Sequence, residues 1–291
     1  MSQTQILNEL FSIRDWLRYA VSQFESSDIF FGHGTSNAYD EAVWLIFGFL
    51  HLPHDTIENF LDAHITSKEK KDLLFLIEKR INEKIPTAYL LNEAWLKDYK
   101  FYVDERVIVP RSLIAESLSE NLYPWIDDPE TIYSALDLCT GSGCLGIMMA
   151  HSFQNALIDL VDLSEKALQV AQINVDHYGL HERIELIQSD LFHALEGKKY
   201  DLIISNPPYV LDQEKNEISS NVLDFEPHVA LFVPDHEPLK FYQALGDFAW
   251  SRLNPGGWLA VEINRAYGLQ TEKLFRQIGF STTELHQDFH G

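Results

Sequence analysis

Apolar residues in the first part of the chain recur at three- and four-residue steps. Ile6, Leu10, Ile13, Leu17 and Val21 paint one face of a helix. The run Phe30-Phe31-Gly32-His33-Gly34 breaks the rhythm and marks a loop. Asp40 to Leu50 reads as a second apolar helix, entered through Ser36 and Asn37 as caps. Ser67 to Glu83 reads as a third, with Leu73, Leu74, Ile77 and Ile81 inward and its Lys and Glu side chains outward. Helices joined by short loops predict a small bundle over residues 1–85.

The period changes over residues 86–110. Trp95-Leu96, Tyr99, Phe101-Tyr102-Val103 and Val107-Ile108-Val109 are rich in strand formers, separated by turn-like Lys97-Asp98 and Asp104-Glu105. A hairpin linker is expected there. From residue 111 to 291, strand patterns alternate with helical ones. The strands are expected at Ser134 to Leu138, Ala156 to Val161, Ile184 to Gln188, Asp201 to Ser205 and Trp258 to Ile263. Helices are expected near 144–152 and 164–178, with a short connector near 191–199. This alternation predicts an α/β domain with a doubly wound, mostly parallel, Rossmann-like sheet. Such sheets bind ligands beyond the carboxyl ends of their strands, where the winding reverses. The residues just after each strand are therefore the ones to inspect.

Four such positions carry chemistry. After the first strand comes Asp137-Leu138-Cys139-Thr140-Gly141-Ser142-Gly143, where glycines allow a sharp turn and a helix N-terminus follows. Gly141, Gly143 and Gly146 also satisfy the G-x-G-x-x-G spacing of a dinucleotide site, and a purely structural turn reads the same way. After the second strand, Asp162 suits both ribose hydroxyls and the cap of the helix starting at Ser164. After the third, Ser189-Asp190-Leu191-Phe192 offers an acceptor for an adenine amino group beside apolar packing, or a turn aspartate followed by core. After the fourth, Asn206-Pro207-Pro208-Tyr209 is the most specific element. Two prolines fix two φ angles and remove two donors, leaving a stiff corner of carbonyl acceptors walled by Tyr209. Such a corner matches a planar NH2 group.

Charge narrows the partner. The 291 residues hold 22 basic and 44 acidic side chains, a net of −22. That balance disfavours a nucleic-acid partner, which requires a basic footprint, and suits either attraction of a basic protein or simple solubility. Cys139 and Cys144, five residues apart, make a poor disulfide and too few ligands for zinc; buried small hydrophobes are the plainer reading. No metal site is expected. Met1 to Arg14 lacks a signal-type pattern, and the longest apolar stretch, Ala42 to Leu52, is too short to span a bilayer, so a cytoplasmic protein without a membrane partner is expected.

Asp137, Gly141-x-Gly143, Asp162, Asp190 and Asn206-Pro-Pro-Tyr209 together resemble the class I methyltransferase fold, and more narrowly the family that methylates protein glutamines. Val109-Pro110-Arg111 and Glu226-Pro227-x-x-Ala230-Leu231 are similar to further elements of that family. One branch acts on the Gly-Gly-Gln loop of peptide-chain release factors, the other on the third large-subunit ribosomal protein. The run Phe31-Gly32-His33-Gly34-Thr35-x-Asn37-x-x-Asp40-Glu41-Ala42, Cys139 and Arg111-Ser112 resemble the ribosomal-protein branch. The resemblance implies S-adenosylmethionine as co-substrate. Cys139, Thr140, Gly141, Ser142 and Gly143 would hold its methionine part, Asp162 its ribose, and Asp190 with Leu191 its adenine. Asn206 and Pro207 would hold the glutamine amide against Tyr209, and the N-terminal bundle would recognise the protein substrate.

Two departures stand out. Residues 232–239 lack the glycines expected before the next helix, and the chain reaches Gly291 soon after a candidate last strand near Thr282 to Gln287, where this fold calls for one more. An amino-methyltransferase on nucleic acid, a nicotinamide-dependent oxidoreductase and a non-catalytic binding module are the competing readings at this stage.

Overall fold

The computed structural model describes residues 2–32, 34–218 and 220–286; His33 and Gln287, which enter two of the expectations above, lie outside them. The chain divides into two compact units, one of Met1–Ala94 with Ser219–Phe225, the other of Trp95–Ile218 with Glu226–Gly291.

The first unit is helical: α1 (Gln3–Glu9), α2 (Ile13–Glu25), α3 (Ala38–Phe49), α4 (Ser67–Asn82) and α5 (Thr87–Leu91). The single apolar stripe from Ile6 to Val21 is split between two helices. Ser12 leaves the helical region and caps α2, taking a bond from the Asp15 amide while the Asp15 carboxylate takes one from the Ser12 amide. The apolar period survives because Ile6, Leu10, Ile13 and Leu17 face the same core as Trp16, Phe24, Leu45 and Ile77. Asn37 caps α3, accepting from the Asp40 amide at 2.9 Å.

The expectation that α4 turns its lysines outward is wrong at Lys70, and Arg80, on which no expectation was placed, is buried as well. Lys70 is buried over the ring of Phe11 and donates to the carbonyl of Leu7. Arg80 is 1% exposed and donates to Glu41 at 2.7 Å and to the Phe30 carbonyl at 2.7 Å. Glu41 also accepts from Thr87 at 2.6 Å and from Thr35. A charge buried this deeply persists only with such partners.

In the second unit, β1 (Ala94–Leu96) and β2 (Tyr99–Phe101) pair as a hairpin, followed by α6 (Ile114–Leu118). Then come β3 (Ser134–Leu138), α7 (Cys144–Ser152), β4 (Leu157–Asp162), α8 (Glu165–His177), β5 (Ile184–Gln188) and β6 (Tyr200–Ser205). After them follow β7 (Val210–Leu211), α9 (Ser220–Phe225, of the first unit), β8 (Phe232–Val233), α10 (Lys240–Arg252), β9 (Leu253–Val261) and α11 (Gly268–Ile278). Five strands form one parallel sheet in the order β5-β4-β3-β6-β9. Leu136, Leu160, Leu202 and Ile203 are fully buried, as expected when helices cover both faces. α7 is apolar all round and wholly buried from Cys144 to Ala150.

The strand at Trp258 starts earlier than its sequence pattern suggests, at Leu253, and a register shift against β6 absorbs the Asn254-Pro255-Gly256-Gly257 segment. The expected strand from Thr282 is not formed: residues 282–286 carry no regular structure, and Glu284 accepts instead from the indole of Trp125. The glycine-poor segment 232–239 begins as β8, paired in parallel with β7.

Candidate active site

The winding order decides where a site forms. From β3 the chain moves outward through β4 to β5, then returns to the other side of β3 as β6 and β9. The switch point lies between β3 and β6. In register, Leu138 pairs with Ser205 and with Val161, and Asp162 with Gln188. The segments that follow these residues therefore stand side by side, about 5 Å apart per strand. Asp190, Asp162, the loop 139–143 and Asn206 follow successive strands along one edge, and the loop 139–143 and Asn206 flank the switch point directly.

The glycine loop is held from inside. Thr140 donates through its hydroxyl to Asp137 at 2.5 Å, and the Gly146 amide donates to the same oxygen at 3.0 Å. Thr140 and Ser142 thus sit buried, with Thr140 turned toward the protein. Gly141 (φ 57°) has open space where a Cβ would be, so a ligand can approach its backbone. Asp137 is itself buried, and its second carboxylate oxygen has no hydrogen-bond partner among the described residues. Burial pushes its pKa up to about 7 against the pull of those two bonds.

Asp162 accepts from the Gly141 amide at 2.9 Å and from the Ser164 amide at 2.9 Å. Ser164 caps α8 through the Ala167 amide, so the aspartate is not needed for that task. Burial raises its pKa, opposed by the amide bonds. Cys139 (φ 63°) has its thiol pKa raised by burial first and then by Asp162 and Asp137. Asp190 is exposed at the loop tip, Leu191 is half-buried, and Phe192 stacks on Phe248 with centroids 4.5 Å apart.

At the corner, Pro207 and Pro208 are buried while Asn206 and Tyr209 are half-buried. The hydroxyl of Ser205 donates to the Leu138 carbonyl at 2.7 Å, locking the two strand ends together. Burial raises the Tyr209 phenol pKa, helped by the Glu262 carboxylate and opposed by Arg111.

Three neighbours escaped the sequence reading: Asn174, Glu262 and Asn264. Asn174 of α8, 1% exposed, donates to the Ser142 carbonyl at 2.8 Å and so holds the glycine loop from below. A polar residue on the apolar stripe of α8 was the available signal. Glu262 and Asn264 follow β9: the Glu262 amide donates to the Ser205 carbonyl at 3.0 Å and its carboxylate accepts from Ser112. Glu226 forms a two-bond ion pair with Arg111 at 2.7 and 2.6 Å and accepts from the Val109 amide. The Pro-Arg and Glu-Pro elements, 115 residues apart, are two halves of one contact.

A parallel sheet wound on both faces, with a glycine loop, an aspartate and a diproline corner at its switch point, defines a class I methyltransferase. The family model of the methyltransferase small domain matches residues 116–225. The chain is 52% identical over 259 residues to the ribosomal protein uL3 glutamine methyltransferase of Neisseria meningitidis, spanning 89% of this chain and 84% of that one. It is 50% identical to the protein of the same name from Burkholderia pseudomallei, over 76% of this chain and 74% of that one. For Francisella tularensis the identity is 41%, over 92% and 85%. The chain belongs to the ribosomal protein uL3 glutamine methyltransferase family. Among solved structures, a methyltransferase from Pyrococcus furiosus is similar at 17% identity and a TM-score of 0.48, over 77% of this chain and 93% of that one.

Proposed function

We propose that this protein methylates the side-chain amide nitrogen of a glutamine in ribosomal protein uL3, using S-adenosylmethionine. The observation that carries the reading is the pairing of Leu138 with Ser205, which sets the glycine loop beside the diproline corner. The names of its relatives supply the substrate. The cofactor fits on two grounds: the buried Asp137 oxygen has no partner among the described residues, and the space over Gly141 is open. Asp137 and the loop 139–143 would hold its methionine part, Asp162 its ribose, and Asp190 with Leu191 its adenine. When bound, it supplies an electrophilic methyl group on a sulfonium.

The residues of the corner meet the remaining difficulty. An amide nitrogen is a weak nucleophile because its lone pair is delocalised into the carbonyl. The Asn206 side-chain oxygen and the Pro207 carbonyl accept the two N–H bonds and turn the lone pair toward the methyl donor. Positive charge grows on the nitrogen as it takes the methyl group and is discharged when one of its two protons passes to water, so these acceptors bind more tightly in the transition state than in the ground state. Among the described residues no group hydrogen-bonds the Asn206 side chain, which leaves its oxygen available for this task. Tyr209 would limit the amide to one plane, and the stiff corner would hold its nitrogen in one orientation toward the cofactor site. The acidic balance of −22 favours encounter with a basic ribosomal protein.

Labelled S-adenosylmethionine incubated with purified uL3 and, separately, with release factors tests the assignment. Label is expected in uL3 at a glutamine; label confined to the release factors would overturn the substrate choice. Asn206→Ala is expected to abolish transfer while cofactor affinity stays within about threefold of wild type.

A further inference from the structure

The diproline corner cannot fasten itself. Pro207 and Pro208 have no N–H groups, and the strand that follows, β7, is two residues long. Its Val210 amide donates to the carbonyl of Leu231, the residue before β8, at 2.9 Å. On the entry side, Ser205 is bound through its hydroxyl to Leu138 and through its carbonyl to the Glu262 amide. On the exit side, one side chain does the equivalent work.

Asn264 uses all its hydrogen-bonding groups, its carbonyl accepting from the Tyr267 amide at 2.9 Å. Its amide side chain donates to the Tyr209 carbonyl at 3.1 Å and to the Glu214 carboxylate at 2.9 Å. Its side-chain oxygen accepts from the Ala266 amide at 2.9 Å, and its backbone amide donates to the Tyr242 hydroxyl at 3.1 Å. Glu214 completes the ring by accepting from the Leu211 amide at 2.8 Å. The backbone from Tyr209 to Leu211 is thus gripped at both ends by the Asn264–Glu214 pair. The grip requires two donors and one acceptor at this side-chain length, which asparagine alone provides.

We propose that Asn264 is a positioning residue for methyl transfer: it clamps the exit of the diproline corner so that the acceptors at Asn206 and Pro207 keep their direction. The inference rests on the function proposed above. Asn264 touches neither reacting group; it acts through the backbone of Tyr209.

Asn264→Asp places an acceptor against two acceptors, the Tyr209 carbonyl and the Glu214 carboxylate. Near neutral pH and above, the ionised aspartate cannot donate. As pH falls, the introduced aspartate takes up a proton, favoured by the carboxylate beside it, and its single O–H can then donate to the Tyr209 carbonyl. Steady-state kinetics of the full chain with uL3 are expected to show kcat for Asn264→Asp lowered about tenfold at pH 8, narrowing to within about threefold at pH 6. Asn264→Ala should lose a similar factor at both pH values. The KM for S-adenosylmethionine should stay within about threefold in both variants, because the glycine loop is untouched.

Amide hydrogen exchange provides a readout independent of substrate. Exchange at Val210 and Leu211 is expected to accelerate in Asn264→Ala while β3 and β4 stay protected. Wild-type kcat in both variants, or unchanged exchange at Val210 and Leu211, would overturn the clamp. So would equal losses at both pH values in Asn264→Asp. A wild-type enzyme inactive on uL3 counts against the substrate assignment alone, and the exchange experiment then judges the clamp.

Discussion

Asp137→Asn separates what the buried carboxylate costs the fold from what it gives the site. Asp137 Oδ2 accepts from Thr140 and Gly146, and an asparagine oxygen can take both bonds. The substitution therefore removes a charge while preserving the local hydrogen bonding. Burial raises the aspartate from its ordinary 3.8 to about 7. At about 1.4 kcal/mol per pH unit, that interval corresponds to about 4 kcal/mol, an upper bound because the asparagine NH2 then lies where one oxygen had no described partner.

The sign follows from linkage. The folded state holds the proton more tightly than the unfolded chain, so the wild type is stable below pH 4 with respect to this group. It loses that contribution as pH rises toward 7. The variant should match wild type near pH 4 and become progressively more stable than it up to about pH 7, after which the gap stays constant. Urea unfolding of the protein without cofactor, at a series of pH values, measures the gap. Affinity for S-adenosylmethionine, by titration calorimetry, should move the other way and fall at least about tenfold, because a carboxylate matched to a cationic ligand is gone. A stability gap independent of pH between 5 and 8 would refute the reasoning, and so would a variant that binds the cofactor as tightly as wild type.

Further outcomes test other parts of the structure. Arg80→Met leaves Glu41 buried without its cation and should destabilise the helical unit by about 3–5 kcal/mol in denaturant unfolding. Arg80→Met with Glu41→Leu should recover part of that loss. Gly143→Ala forces a side chain into φ 81° with a Cβ 3.2 Å from Leu160 and Ala171. It should cost about 1–3 kcal/mol and weaken cofactor binding, measured by unfolding and calorimetry. Asn174→Ala removes the bond to the Ser142 carbonyl and should raise the KM for S-adenosylmethionine more than it changes kcat.

Much of the fold could be read from local pattern. β3 and β5 have the bounds their apolar runs suggest, and α7 runs from Cys144 to Ser152 as expected. β3 and α7 are buried over most of their length, so burial and period agree there. The failures occur where a local signal competes with a tertiary one. The stripe from Ile6 to Val21 continues in phase across Ser12, yet the capping box ends one helix and begins another. Lys70 and Arg80 look like solvated residues until the carbonyls of Leu7 and Phe30 and the carboxylate of Glu41 are brought to them.

The sequence by itself determined the alternation of strands and helices, and with it the places where chemistry can sit, because side-chain periodicity and the backbone limits of glycine and proline act over a few residues. Glycine loop, Asp162, Asp190 and diproline corner were all visible as strand-end residues. Only the tertiary structure decided that β6 lies beside β3, which joins loop and corner at one switch point. It also decided which distant groups brace them: Glu226 against Arg111, Glu262 against Ser112, Asn174 under Ser142, and Asn264 on Tyr209. These partners are separated by 32 to 150 residues in the chain, and no local pattern encodes a hydrogen bond across such a distance. Packing of the sheet brings them within reach, and the cost of burying a polar group without a partner selects the residue types found there.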